Sequence, residues 1–115
     1  MWGSNNLNAL LKRIDTLSNN PAAAAEPIAT CAQALDRMSK QSHPEQWALV
    51  HQYRGTALVR LGEIGGDPAL MRKAIAALDE TLTVFTRKSR PADWAVTLQN
   101  RANALFWPFG AWNIR

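Results

Sequence analysis

The stretch Pro44–Leu61, PEQWALVHQYRGTALVRL, returns in altered form as Pro91–Leu105, PADWAVTLQNRANAL. Pro44 matches Pro91, Trp47 matches Trp94 and Ala48 matches Ala95. Gln52 matches Gln99, Arg54 matches Arg101, Ala57 matches Ala104 and Leu58 matches Leu105. The offset stays at about 47 residues, within the range where self-similarity marks a stacked repeat. Each copy has apolar residues at helical spacing and opens on a proline, which a first helical turn accepts because its N–H would be unsatisfied there anyway.

Outward from that stretch the chain reads as helices joined by short breaks. Asn5–Ser18 forms an amphipathic helix with Leu7, Leu10, Leu11, Ile14 and Leu17 on one side and Ser4 or Asn5 as its cap. A second helix runs from about Pro21 to Lys40, with Ile28, Cys31, Leu35 and Met38 facing inward. Pro27 inside it predicts a kink or a restart, since it removes a hydrogen bond and crowds the carbonyl of Ala23. The third helix spans Pro44 to Leu61, where Gly62 fits a C-terminal stop, and Glu63–Asp67 forms a loop. Asp67-Pro68 repeats the opening Asn20-Pro21 and starts a fourth helix to Lys88, with Ile75, Leu78, Leu82 and Phe85 inward. Ser89-Arg90-Pro91 repeats Ser42-His43-Pro44 and opens the fifth, which carries Trp94, Val96, Leu98, Leu105 and Phe106.

The repeating unit is therefore a helical hairpin, present about two and a half times. The expected fold is all-α: antiparallel hairpins stacked as a short right-handed solenoid of about five helices. Residues 1–107 make the repeat domain and 108–115 an apolar tail. The tail (Phe106-Trp107-Pro108-Phe109, then Trp112 and Ile114) is too apolar for a solubilising end cap. Three readings stay open: it folds back over the open end, it is a self-association surface carried by Phe106, Trp107, Phe109 and Trp112, or it is a truncated, partly disordered terminus.

Composition removes several function classes. The chain has 115 residues, 47% of them apolar, which suits one folded domain and not a disordered one. No apolar run approaches the roughly 18 residues of a membrane span, and the start is not a secretory signal. A single cysteine, Cys31, allows no internal disulfide and makes a reducing, cytoplasmic compartment the default. Net charge is +4, but the basic residues are dispersed among acids without a stripe or motif, which argues against nucleic acid. His43 and His51 have no other ligand at metal spacing. Glu63-Ile64-Gly65-Gly66-Asp67 lacks the spacing of a phosphate loop. Asp79 and Glu80 are adjacent and point apart, so they make a poor acid–base pair. Neither an enzyme nor a cofactor is expected. Trp47 and Trp94 read as periodic packing residues. Arg54 and Arg101 read as partners of acids on the adjacent helix, such as Asp79 or Glu80.

Gly55-x-Ala57-Leu58, Gly62, Ala74-Ile75, Leu82 and Pro91 together resemble the tetratricopeptide repeat, in the longer form found in bacterial proteins. The unit here exceeds the usual 34 residues. The departures are Pro27, the arginines at 54 and 101, and the tail. The resemblance implies a scaffold that binds a protein or peptide in a concave groove lined by the first helix of each hairpin. Carried over position by position, the groove takes Asn5, Ala9 and Arg13, then Gln52, Thr56, Val59 and Arg60, then Gln99 and Asn103. Amides offer donor and acceptor to an extended backbone, and arginine forks onto carboxylates, so an extended or acidic peptide is the expected ligand. A homodimer formed through the solenoid end and the tail is the alternative.

Overall fold

The structure is a computed structural model that describes residues 9–14, 16 and 25–107. These form five helical segments with no strand among the described residues: α1 (9–14), α2 (Ala25–Leu35), α3 (Pro44–Gly65), α4 (Pro68–Leu82) and α5 (Pro91–Leu105). Short connections join α2 to α3, α3 to α4 and α4 to α5, and successive helices pack as neighbouring antiparallel hairpins. α3 is the central element and touches α2, α4 and α5.

The repeat is visible in the turns before α3 and α5. Ser39 N–H donates to Ser42 Oγ at 2.9 Å, and Ser42 N–H donates back to Ser39 Oγ at 3.0 Å. At the later site Thr86 N–H donates to Ser89 Oγ at 3.1 Å, and Ser89 N–H donates to Thr86 Oγ1 at 3.0 Å. These reciprocal side-chain bonds satisfy amides that no helix ladder reaches. They also deliver the chain to the same entry conformation. His43 has φ −141° and ψ 70°, Arg90 has φ −143° and ψ 71°, and a proline follows each.

Side chains from all five segments form two buried clusters. Ile14, Cys31, Ala34 and Val50 are buried together, with Leu10, Leu11, Leu35, Met38 and Tyr53 against them. Leu58, Val59, Met71, Ala74 and Ala104 form the other, with Ile28, Leu70, Ile75 and Trp107 at its edge. Burial of such aliphatic area is the main favourable term, at about 25 cal/mol per Å². Close helix approach depends on small residues. A Cβ on Gly55 would lie 2.6 Å from the Leu78 side chain. Ala48 lets the Thr81 hydroxyl donate across to its carbonyl at 3.0 Å.

Several helix ends differ from the sequence expectation. α3 does not stop at Gly62 but runs through Gly65, and Gly66, at φ 61°, supplies the left-handed cap. Gly62 instead makes room for Met71, whose Cε would sit 3.2 Å from an added Cβ. The expected Glu63–Asp67 loop is thus mostly helix, and Asp67 caps α4 by accepting from Ala69 N–H at 2.9 Å. α2 ends at Leu35 and α4 at Leu82, short of the expected Lys40 and Lys88. Phe85 is still buried, but from a turn. Pro27 falls in the first turn of the described part of α2, and Ala23, whose carbonyl it was expected to crowd, lies outside the described residues. Val96, Leu98 and Phe106 face outward, 49%, 37% and 68% exposed. Among the described residues no helix packs against this flank of α5.

Candidate interaction surface

The described residues of the expected groove lie on α1, α3 and α5, and the structure divides them into two groups. Gln52 is buried at 6% exposure and spends its amide on α5. Its Nε2 donates to Thr97 Oγ1 at 3.0 Å and to the Asp93 carbonyl at 3.3 Å. Thr97 Oγ1 in turn donates to the same carbonyl at 2.7 Å. The Thr56 hydroxyl donates to the Gln52 carbonyl at 2.9 Å and accepts from Asn100 Nδ2 at 3.0 Å. Gln52 and Thr56 therefore join α3 to α5 side by side in parallel register. Val59 is buried in the second core cluster.

The second group lies at least partly at the surface. Gln99 and Asn103 are exposed on α5 and make no hydrogen bond among the described residues. Arg60 is half-buried and unpaired among the described residues. Arg13 and Ala9 are exposed on α1, and Asn5 lies outside the described residues. Of the aromatic tail, Phe106 is exposed and Trp107 packs at the edge of the core, while Phe109 and Trp112 lie outside the described residues.

α5 has a feature that single-residue inspection of the sequence missed. Every exposed position from Pro91 to Phe106 is uncharged. Its two charged side chains turn the other way. Arg101 Nε meets Asp79 Oδ1 on α4 at 2.6 Å, as the sequence suggested for this arginine. Asp93 accepts from Arg90 Nε at 3.0 Å, and Arg90 also pairs with Glu45 and lies 4.7 Å above the Phe85 ring. The exposed side of α4, by contrast, carries Arg72, Lys73, Asp79 and Glu80. A helix face without charge is the composition of an interface core, not of an ordinary solvated surface. The legible signal was a wheel of the fifth helix, on which Asp93 and Arg101 fall together with the buried Thr97 and Ala104.

Among the described residues Arg54 has no such acid. Ala32 occupies the repeat position where Asp79 serves Arg101. Its charge falls instead on Cys31 and His51. Burial pushes the Cys31 thiol up to about 12, against a lowering by Arg54. Burial lowers the His51 pKa below 6.5, with Glu80 raising it and Arg54 lowering it further. His51 stacks edge-on against Trp47 at 4.4 Å, and its Nδ1 has no hydrogen-bond partner. An inert thiol and a neutral imidazole suit packing.

Among the described residues no helix is long and apolar enough to cross a membrane. No family model, curated protein or solved structure matches this chain.

Proposed function

We propose that the chain is a tetratricopeptide-like interaction module that acts in the cytoplasm without cofactor or catalysis and binds an extended, acidic segment of another protein. The observation that carries this reading is the pair of unpartnered amides Gln99 and Asn103, set between exposed Val96 and Phe106 on a charge-free helix face. An amide side chain donates and accepts at once, so two of them one helical turn apart can hold a peptide backbone. Val96 and Phe106 offer apolar contact on either side, and Arg60 and Arg13 supply positive charge along the inner helices. Screening immobilised acidic and neutral peptides, followed by anisotropy titration, tests this. Acidic extended peptides are expected to bind, and Gln99→Ala with Asn103→Ala to weaken them about tenfold or more. Equal retention of scrambled neutral peptides, or indifference to both substitutions, would sink it.

The same charge-free face favours a second reading, self-association through the open end of the stack.

A further inference from the structure

We propose that the furrow between α2 and α4, floored by Trp47, His51 and Arg54 of α3, binds a carboxylate carried by an aspartate or glutamate of another protein. The furrow lies away from Gln52 and Thr56, which face α5, and is separate from the peptide site of that helix.

The helix arrangement makes the furrow. α2 and α4 both pack on α3 and not on each other. Trp47, His51 and Arg54 follow at intervals of four and three, so they share one face of α3, and all three are half-buried. Their neighbours come from both walls. Lys40, in the turn after α2, lies 5.7 Å over the Trp47 ring, and His51 stands edge-on to that ring at 4.4 Å. The charge of Glu80 on α4 reaches His51, and that of Arg54 reaches Cys31 on α2.

The two repeat copies differ here in a way that points to an anion. On α5 the same three positions hold Trp94, Leu98 and Arg101. Arg101 is neutralised by Asp79 on the preceding helix, at 2.6 Å. Beside α3 two departures coincide: Ala32 stands in place of the acid, and His51 in place of the leucine. Ala32 is exposed, so the position that a carboxylate fills in the other copy is open to solvent. Arg54 makes no ion pair or hydrogen bond among the described residues. The His51 Nδ1 is buried without a partner, and Nε2 is not so enclosed. A lone pair costs less to leave unpaired than an N–H, so the neutral ring carries its proton on Nε2, as a donor. A guanidinium and an imidazole N–H one turn apart give two donors to one carboxylate, and Trp47 offers apolar contact to its methylenes. Glu80 disfavours a more highly charged group such as phosphate.

NMR of the arginine Nε–Hε and histidine ring signals of the full chain tests this, in titrations with a short aspartate-bearing peptide, its asparagine counterpart and succinate. The aspartate peptide is expected to give saturable shifts at Arg54 and His51 and none at Arg101, which already holds Asp79. The asparagine peptide should give none. Ala32→Asp supplies an internal carboxylate from an exposed position and should weaken the aspartate peptide about tenfold or more, whereas Ala32→Asn should not. Gln99→Ala with Asn103→Ala should leave these shifts unchanged. No saturable shift at Arg54, an equal response to the asparagine peptide, or indifference to Ala32→Asp overturns the proposal. Succinate binding as tightly as the peptide overturns a protein as the source of the carboxylate. The α5 substitutions act on one site and Ala32→Asp on the other, so this inference and the peptide reading fail independently.

Discussion

At the scale of single residues, Gly55 and Ala102 occupy the same repeat position under opposite demands. Leu78 crowds the Cβ position of Gly55, whereas Ala102 is exposed. Gly55→Ala gains about 1 kcal/mol of helix propensity but forces a buried leucine off its rotamer, at about 1–3 kcal/mol. A net loss of stability is expected by urea unfolding, and Gly55→Val should lose more. Removal of the hydroxyl in Thr97→Val leaves the buried Gln52 amide one acceptor short and should cost about 1–3 kcal/mol. A double-mutant cycle with Gln52→Leu should show strong coupling. His51 gives a pH signature. Its folded pKa lies below the unfolded 6.5, so the unfolded chain takes up protons first on acidification. The stability due to neutral His51 is present above about pH 6.5 and is lost as the pH falls through the lower folded value. His51→Gln should flatten the stability–pH curve in that window, as measured by urea midpoints at successive pH values.

At the scale of elements, helix existence followed from apolar spacing, while helix ends depended on neighbours. Phe85 is in phase with Leu78 and Leu82, so periodicity extends α4 through it. The backbone leaves the helix at Thr83, and Phe85 reaches the core from the turn that Thr86 and Ser89 close. The sequence puts the end of α3 at Gly62 and leaves Gly66 in a loop. Met71 packs on Gly62 inside the helix, and the positive φ belongs to Gly66. Gly66→Ala should therefore cost about 1–2 kcal/mol from its left-handed backbone. Asp67→Ala should cost about 1 kcal/mol by removing the α4 cap. Both are read as shifts of the thermal midpoint. In the turns, the hydroxyl pairs Ser39/Ser42 and Thr86/Ser89 were present in the sequence, but their reciprocal bonding emerged only with the fold.

For the whole molecule, a stack gains stability from each contact between neighbouring units. Among the described residues α5 packs against α3 and α4 along one flank only. Appending residues 61–107 directly after Trp107 keeps the repeat register and supplies a second α4 and α5. The extended chain should have a higher urea midpoint, and Phe106 should become protected, since Val59 is buried at its repeat position. Fluorescence quenching would read out that protection through the neighbouring Trp107. An unchanged midpoint would mean that the units do not stack by the rule read from residues 44–107.

The sequence by itself determined the helices, their hairpin order and the repeat, because apolar spacing and proline starts are local and recur at a fixed offset. It also offered Asp79 or Glu80 as partners for Arg101, of which the structure takes Asp79, and put Cys31 on an apolar helix face. Only the tertiary structure decided what each repeated residue does. Gln52 and Gln99 are the same residue at the same repeat position, as are Ala48 and Ala95. One of each pair is buried and the other exposed, because α3 has helices on both flanks and α5 has them on one. Burial is set by how many neighbours a helix acquires in the stack, and no property of the residue itself encodes that number.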